Sequence, residues 1–206
     1  MKQNEKTEQT KLKIVDAAMK SFGACGYSGV SLNDICKTAN VPKGLMYHNF
    51  SGKEELYLCC VKKSFDSLEE YLNLSDAKNN MRSYMKERTK FFRENPNEAR
   101  IFFDAVLQTP TELTKEINEV KKSLDLFTRK MCRKFISSIK LRDGISEKQA
   151  LTYFETMQSM FNSYFSSPFY ASESLDKKIT LHEKKLDTLI DLMIYGVTVK
   201  KSRGKK

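Results

Sequence analysis

Residues 31–50, SLNDICKTANVPKGLMYHNF, constrain the fold of this chain more than any other segment. Ser31 and Asp34 form a capping-box pattern, in which a hydroxyl and a carboxylate three residues later satisfy the free amides at a helix start. Pro42 marks a second start, because proline is tolerated in the first turn of a helix and not in its interior. Between these two points, apolar residues recur at helical spacing at Leu32, Ile35, Cys36 and Ala39. The segment therefore predicts two short helices joined by a tight turn.

The second of these helices begins at Lys43 and Gly44 and carries Tyr47, His48 and Asn49. It thus presents basic, aromatic and amide-bearing groups within two turns. Two helices joined by a turn of three or four residues, with such groups on the second helix, are typical of a helix-turn-helix that binds DNA.

The net charge of +10 also points to a polyanionic partner, either nucleic acid or an anionic membrane surface. Residues 1–64 contain ten lysines against six acidic residues, and residues 197–206 contain five basic residues and no acidic ones. The 132 residues between these two regions carry a net charge of only about +1. The positive charge is therefore concentrated at the two ends of the chain.

Several classes of protein are disfavoured by the composition. No segment approaches the roughly 20 apolar residues of a membrane span, and residues 1–11 lack the apolar core of a signal peptide. The five cysteines form neither an even set nor a CxxC pattern, which predicts reduced thiols in a cytoplasmic protein with no metal site and no cofactor. Two isolated histidines and the lack of a catalytic motif predict that the chain is not an enzyme.

The rest of the chain has helical periodicity without the alternation of strands. Apolar residues recur every three or four positions between helix starts and stops such as Pro96 and Gly144. A hydroxyl at Thr180 followed by Glu183 predicts the start of the last helix. Together these patterns predict an all-α fold of about nine helices.

The N-terminal pattern resembles the DNA-binding domain of the TetR family of bacterial transcriptional repressors. The spacing fits the family throughout residues 8–68, and beyond them the similarity is one of helix number and of the closing helix. The residues that carry the resemblance are Ile14, Val15, Asp16, Ala17, Ala18, Phe22, Gly26, Tyr27, Ser31, Ile35, Val41, Pro42, Lys43, Gly44, Met46, Tyr47, Phe50, Lys53, Glu54, Glu55 and Leu56.

With this resemblance, the chain divides into four expected segments. They are a flexible N-terminal arm (1–7), a three-helix DNA-binding domain (8–68) with its helix-turn-helix at about 31–50, a larger helical effector-binding and dimerisation domain (69–199), and a basic tail (200–206). The tail is interpreted as a solvated end, with a DNA-contacting arm as the alternative.

The resemblance also implies which residues contact DNA. It implies phosphate contacts for Tyr47 and Lys53, and base contacts for Leu45 and His48, although His48 suits a phosphate equally well. Residues 1–64 contain no arginine, so the commonest bidentate contact to guanine is unavailable from this domain. The full predicted DNA-binding set is Ser31, Leu32, Pro42, Lys43, Gly44, Leu45, Tyr47, His48 and Lys53.

The middle of the chain is rich in aromatic residues and methionine, a composition more typical of packed core than of a pocket. The resemblance nevertheless implies a cavity enclosed by the fourth to eighth helices. The near-neutral charge and the many aromatic residues of this region suit an apolar or aromatic effector, including a cationic one. The predicted lining is Tyr84, Phe91, Phe102, Phe103, Phe127, Tyr153, Met157, Met160, Phe161 and Tyr164.

The last two helices are expected to pair with their copies across a two-fold axis as a four-helix bundle. The predicted dimer interface is Leu151, Phe154, Leu186, Leu189, Ile190, Met193, Ile194 and Val197.

These inferences predict a homodimeric repressor that a small effector releases from a palindromic double-stranded operator. Two alternatives stay open. One is a DNA-binding protein of the same fold that responds to no ligand. The other is a redox regulator that uses Cys36 or the neighbouring Cys59 and Cys60, although thiols on apolar helix faces are more often structural.

Overall fold

A computed structural model describes residues 3–198 of the chain, with side chains from residue 5 onward. Over these residues the chain forms nine α-helices and three short 3-10 turns, which confirms the predicted all-α fold. The helices are α1 (Gln3–Cys25), α2 (Leu32–Ala39), α3 (Lys43–Asn49), α4 (Lys53–Leu74), α5 (Met81–Glu94), α6 (Pro96–Leu107), α7 (Thr114–Ser137), α8 (Glu147–Phe165) and α9 (Leu175–Val197). The 3-10 turns are Asp76–Lys78, Thr111–Leu113 and Pro168–Tyr170.

The structure can be compared with the predicted segments at the N-terminal end of the chain but not at its C-terminal end. Helix α1 already includes residues 3–7, which the sequence patterns had assigned to an arm. The basic tail at 200–206 lies outside the described residues.

The predicted start of the last helix at Thr180 is wrong. Helix α9 begins at Leu175, because Ser174 supplies the N-cap and its side chain accepts a hydrogen bond from the Lys177 amide. Thr180 lies inside the helix, and its hydroxyl donates to the Asp176 carbonyl at 2.9 Å. Both sites offer a hydroxyl before an apolar run, and the earlier one is used.

The described chain packs as two compact units. Unit 1 combines the chain up to Tyr71 with Lys90–Lys122, and unit 2 combines Leu72–Thr89 with the chain from Ser123 onward. Helices α4, α5 and α7 each contribute to both units.

The core of unit 1 is built from the apolar stripes of α1, α2, α3, α4 and α6. Fully buried side chains on these helices include Ile14, Phe22, Ile35, Met46, Tyr57, Phe65 and Phe103. Helix α6 approaches α1 closely at Gly23, where an added Cβ would lie 2.7 Å from Asn97 Oδ1. Glycine at this position therefore allows the two helices to touch.

The core of unit 2 combines apolar side chains with several buried polar ones. Phe165 stacks on Tyr170 with ring centroids 4.5 Å apart, at the C-terminal end of α8. Arg88, His182 and Glu183 are buried beside the apolar residues of α8 and α9. Among the described residues, no helix combines the length and apolar character needed to cross a bilayer.

Candidate nucleic-acid interface and ligand cavity

The predicted helix-turn-helix is present as α2 and α3. Ser31 caps α2, since its Oγ accepts a hydrogen bond from the Asp34 amide at 3.3 Å. Asn40 then takes the left-handed conformation (φ 51°) and ends the helix, and its amide donates to the Lys37 carbonyl at 3.1 Å. Asparagine tolerates this conformation better than most residues. The Pro42 carbonyl accepts from the Leu45 amide and starts α3.

Helix α3 is fixed by one buried face. Met46 is fully buried and Phe50, directly after the helix, is 2% exposed. Tyr47, by contrast, is 59% exposed and Leu45 is 43% exposed. A Cβ added at Gly44 would meet no atom within 4 Å. The apolar anchor on one side therefore holds the other side of the helix open to solvent.

The nine residues predicted to bind DNA lie at the N-terminus of α2, along α3 and at the start of α4. None of them is buried: Leu32 and Lys53 are half-buried and the other seven are exposed. Asn49, which also lies on α3, uses its amide within the helix by donating to the Leu45 carbonyl at 2.7 Å.

The start of α2 is the least favourable place for a phosphate. Asp34 lies in its first turn, and its carboxylate is 3.9 Å from the Lys37 ammonium. A phosphate beside Ser31 and Leu32 would gain from the helix N-terminus but would meet this negative charge.

Lys53 is held in place by a chain of contacts that the sequence did not reveal. Its ammonium lies 4.4 Å from the centroid of the Tyr27 ring, a cation–π contact. The Tyr27 amide donates to Asp104 Oδ2 at 3.1 Å, and the Tyr57 hydroxyl donates to the same oxygen at 2.8 Å. Asp104 on α6 thus fixes both the turn after α1 and the side of α4.

Burial decides the protonation chemistry of this cluster. It raises the pKa of the Asp104 carboxyl, although the hydrogen bonds from Tyr57 and Tyr27 oppose the shift. Burial, together with the negative charge of Glu54, raises the pKa of Tyr27 to about 12. The one signal available in the sequence was a lone acidic residue within the apolar run of α6.

The residues predicted to line a cavity are spread over several environments. Phe91, Phe102 and Phe103 pack in unit 1, where neighbouring phenyl rings lie 5.0–5.7 Å apart. In unit 2, Tyr84 and Phe127 are buried, and Tyr84 borders a cavity. The remaining five lie on α8, where Met157 and Phe161 are half-buried and Tyr153, Met160 and Tyr164 are exposed.

Two adjoining cavities lie within unit 2, with volumes of about 410 and 460 Å³ including the parts open to solvent. They share four lining residues, Met81, Tyr84, Thr128 and Cys132. The first, the lysine cavity, is completed by Lys78, Asn79, Asn80, Met131, Lys134, Phe135 and Ser138. The second, the apolar cavity, is completed by Arg88, Phe154, Gln158, Leu186, Leu189, Ile190 and Met193.

Arg88 at the edge of the apolar cavity belongs to a buried polar network. Its Nε and Nη2 donate to both carboxylate oxygens of Glu183, at 3.0–3.2 Å. The ring nitrogens of His182 lie 3.1 Å from Glu183 Oε1 and 3.0 Å from Asn162 Oδ1. Burial opposes ionisation of Glu183, but Arg88 and His182 outweigh it and keep its pKa below the usual range. Burial also lowers the pKa of His182.

Most residues predicted for a dimer interface lie inside the single chain. Five of the eight are at most 7% exposed, namely Leu151, Phe154, Leu186, Met193 and Val197. Leu189, Ile190 and Ile194 are half-buried. These apolar stripes pack in the core of unit 2, as expected for the apolar faces of amphipathic helices. The apolar side chains that α8 and α9 leave exposed are Tyr153, Met160, Tyr164, Leu192 and Tyr195.

The fold and this surface define a class: an all-helical protein whose N-terminal helices form a helix-turn-helix. Residues 14–60 match the family described as bacterial regulatory proteins, tetR family. Residues 75–197 match the tetracyclin repressor-like C-terminal domain. The chain therefore belongs to the tetR family, which is one of regulatory proteins and not of enzymes.

Sequence relatives share the N-terminal region. The chain is 37% identical over 68 residues to the biofilm operon icaADBC HTH-type negative transcriptional regulator IcaR of Staphylococcus aureus, which covers 33% of this chain and 37% of that protein. It is 37% identical over 60 residues to IcaR of Staphylococcus epidermidis, covering 29% of this chain and 32% of that protein. The match thus spans about a third of the length of these curated relatives.

Solved structures share the whole fold. FadR from Bacillus subtilis, determined in complex with stearoyl-CoA, superposes with a TM-score of 0.63 at 18% identity, covering 90% of this chain and 98% of that one. NalD, the secondary repressor of the MexAB-OprM multidrug efflux pump in Pseudomonas aeruginosa, gives a TM-score of 0.60 at 20% identity, covering 96% and 100%.

Proposed function

We propose that this chain is a cytoplasmic, homodimeric repressor that binds a palindromic operator through residues 8–68 and an effector through residues 69–199. The observation that carries the proposal is the surface of α3. Its buried side is fixed by Met46 and Phe50, so the basic and aromatic side chains opposite them are presented outward. The negative transcriptional regulator IcaR supports the same reading of the N-terminal region.

Phosphate contacts provide most of the proposed affinity. Tyr47 donates its hydroxyl to a phosphate oxygen, and the ammonium groups of Lys43 and Lys53 pair with phosphates on either side of the groove. The Tyr27 ring holds Lys53 in place for this contact. The side chain of Tyr47 is 59% exposed and is therefore available to DNA.

Fewer side chains are proposed to contact the bases than the phosphates. Leu45 offers an apolar contact to a thymine methyl group, and His48 offers a hydrogen bond to a base edge or a phosphate. Gly44 and Pro42 permit a close approach of the backbone to DNA. With no arginine on this surface, DNA shape contributes part of the specificity.

The proposed dimer uses the apolar groups that α8 and α9 leave exposed. Tyr153, Met160 and Tyr164 recur at helical spacing along α8, and Leu192 and Tyr195 lie together on α9. A two-fold pairing of these helices would bury these side chains and place two helix-turn-helix motifs on one operator. An inverted repeat is the DNA sequence that such a dimer requires.

Effector control follows from linkage. A ligand that binds one conformation of the dimer more tightly than the other raises the population of that conformation. If the favoured conformation binds DNA more weakly, operator affinity falls by an amount set by the difference between the two ligand affinities. The two cavities of unit 2 are the proposed place for this ligand. A filled core in unit 2 would instead have favoured the alternative of a DNA-binding protein that responds to no ligand.

The redox alternative finds little support in the thiols. Burial raises the pKa of Cys59 and of Cys60, which keeps both thiols protonated and poorly reactive at neutral pH. Cys36 is buried as well.

An unbiased selection of DNA fragments bound by the full chain tests the proposal. We expect an inverted repeat whose half-sites lie about 10 base pairs, or a multiple of one helical turn, apart. A Tyr47→Phe, Lys53→Gln double variant should enrich nothing. If the wild-type chain enriches no sequence over the input, or enriches an unpaired half-site only, the proposed dimeric operator is excluded.

A further inference from the structure

The two cavities of unit 2 differ in charge as well as in polarity. Two lysines, Lys78 and Lys134, line the lysine cavity, and no acidic residue does. Lys134 Nζ donates to the Lys78 carbonyl at 3.3 Å, which brings its charge to the loop that borders the cavity. An ammonium carries three donors, so this bond leaves others for a ligand.

The apolar cavity is lined mainly by aliphatic and aromatic side chains, including Phe154, Leu186 and Met193. Its one cation, Arg88, is already paired with Glu183 through bonds from Nε and Nη2. A charged ligand group placed here would disturb this pair without a free counter-charge. The apolar cavity therefore suits the uncharged part of a ligand.

The shared wall between the cavities is uncharged. Tyr84 forms side-chain hydrogen bonds with Thr128 and Arg88, and it is the largest of the four shared residues. Burial raises the pKa of Cys132 to about 11, so its thiol is neutral at physiological pH. The two cavities therefore adjoin at these four residues, with the two lysines lining only the first cavity and the aliphatic side chains of α9 lining only the second.

We infer that the effector of this chain is an amphipathic anion. Its carboxylate or similar head group lies between Lys78 and Lys134, and its alkyl or ring body extends past Tyr84 among Phe154, Leu186 and Leu189. This inference rests on the proposed function, in which these cavities hold the effector. It replaces the cationic or wholly apolar effector suggested by the aromatic composition, since the aromatic residues named for that purpose lie mostly elsewhere.

Three probes with the same ten-carbon tail test the inference: decanoate, decan-1-ol and decyltrimethylammonium. Each is titrated into the full chain by calorimetry, without DNA and below the concentration at which micelles form. We expect decanoate to bind most tightly, because only its head group matches the two lysines. Equal or tighter binding of decanol or of the ammonium probe overturns the inference.

Matched variants locate the two ends of the ligand. The exposed double variant Lys78→Gln, Lys134→Gln should weaken decanoate about three- to tenfold, as expected for two partly exposed ion pairs, and leave decanol unchanged. Lys148 is an exposed lysine on α8 that lines neither cavity, so Lys148→Gln is the control and should change nothing. Leu189→Gln should weaken decanoate and decanol alike.

The outcomes separate this inference from the proposed function. If Lys148→Gln weakens decanoate binding as much as the double variant does, the head group does not lie between Lys78 and Lys134. The same conclusion follows if the double variant binds decanoate as tightly as the wild type. DNA binding is measured on the same protein in the absence of any probe. An intact operator complex with no preference for the anionic probe therefore contradicts the ligand class alone.

Discussion

Unit 1 and unit 2 each bury an acidic residue, and they balance its charge in different ways. Asp104 in unit 1 is 7% exposed and accepts hydrogen bonds from two uncharged donors, the Tyr27 amide and the Tyr57 hydroxyl. Glu183 in unit 2 is 6% exposed and forms a bidentate ion pair with Arg88. As a result, the pKa of Asp104 is raised by burial, whereas Arg88 and His182 overcome burial and lower the pKa of Glu183.

The difference indicates what each group contributes. The Arg88–Glu183 pair is charge-balanced and joins α5 to α9, so its loss should appear mainly as lost stability of unit 2. The partners of Asp104 are uncharged: the phenol of Tyr57 and the backbone amide of Tyr27, whose ring contacts Lys53. We therefore expect Asp104 to set the geometry of the DNA-binding surface, at some expense in stability.

The largest expected effect comes from breaking the ion pair. Arg88→Met leaves Glu183 buried without a counter-charge, and the free energy of unfolding should fall by about 3–5 kcal/mol. Urea denaturation measures this change. Adding Glu183→Met should recover part of the loss, because it removes the unpaired buried charge but leaves His182 Nδ1 without its partner.

An exposed ion pair provides the matched control. Arg129 Nε lies 2.9 Å from Glu155 Oε1, with side chains 53% and 41% exposed. Arg129→Met should therefore lower the free energy of unfolding by less than about 1 kcal/mol. Similar losses from Arg88→Met and Arg129→Met would show that burial does not distinguish the two pairs.

The next effect is that of Asp104→Ala. It leaves the Tyr57 hydroxyl and the Tyr27 amide without their acceptor but also removes a buried carboxyl group, so the free energy of unfolding should fall by about 1–3 kcal/mol. Operator affinity should weaken as well, because Tyr27 no longer holds Lys53 in position. Asp104→Asn keeps one acceptor oxygen and should weaken both properties less.

Asp16→Ala is the control for Asp104. Asp16 also lies in unit 1 and contacts Lys63 at 3.0 Å, but its side chain is 62% exposed. Asp16→Ala should therefore change the free energy of unfolding by less than about 1 kcal/mol. If Asp104→Ala destabilises unit 1 but leaves the affinity of the still-folded protein for its operator unchanged, Asp104 has no role in positioning Lys53.

A smaller effect is expected from pH, because Asp104 and Glu183 should change the free energy of unfolding in opposite directions as the pH rises. The pKa of Asp104 lies above its ordinary value of 3.8, so the folded chain binds more protons than the unfolded one and stability falls as pH rises through this range. The pKa of Glu183 lies below its ordinary value of 4.5, so its contribution is present above that pH and is lost as pH falls through the folded value.

Urea titrations between about pH 3 and pH 7 compare the wild type with Asp104→Asn and with Glu183→Gln. The stability advantage of the wild type over Asp104→Asn should shrink as pH rises, and its advantage over Glu183→Gln should grow. If both differences in the free energy of unfolding change in the same direction with pH, the claim that the two buried carboxyl groups have pKa values shifted in opposite directions is contradicted.

The sequence predicted the parts of the molecule that depend on local patterns. The cap at Ser31, the buried Ile35 and Cys36, and the start of α3 at Pro42 follow from capping chemistry and helical spacing, and the structure has all three features. The start of α9 was misplaced because Thr180 with Glu183 matches the capping-box pattern more fully than Ser174 with Lys177, although Ser174 is the residue that caps the helix.

The parts that depend on distant contacts were not predictable in the same way. Arg88 and Glu183 are 95 residues apart, and Asp104 meets Tyr27 across 77 residues, so no local pattern relates them. The apolar stripes of α8 and α9 were assigned to a partner chain for a similar reason. A single sequence does not distinguish a stripe buried within the chain from one buried between two chains.

The dependence of operator affinity on salt tests the central claim most directly, because it counts the phosphates that the protein contacts. Fluorescence anisotropy with a selected operator should give a steep loss of affinity with salt, and Lys53→Gln should lower the slope of log affinity against log salt by about one. Lys20→Gln, an exposed lysine on α1, should leave the slope unchanged. Equal slopes for the wild type and Lys53→Gln would contradict the assignment of this surface to the DNA backbone.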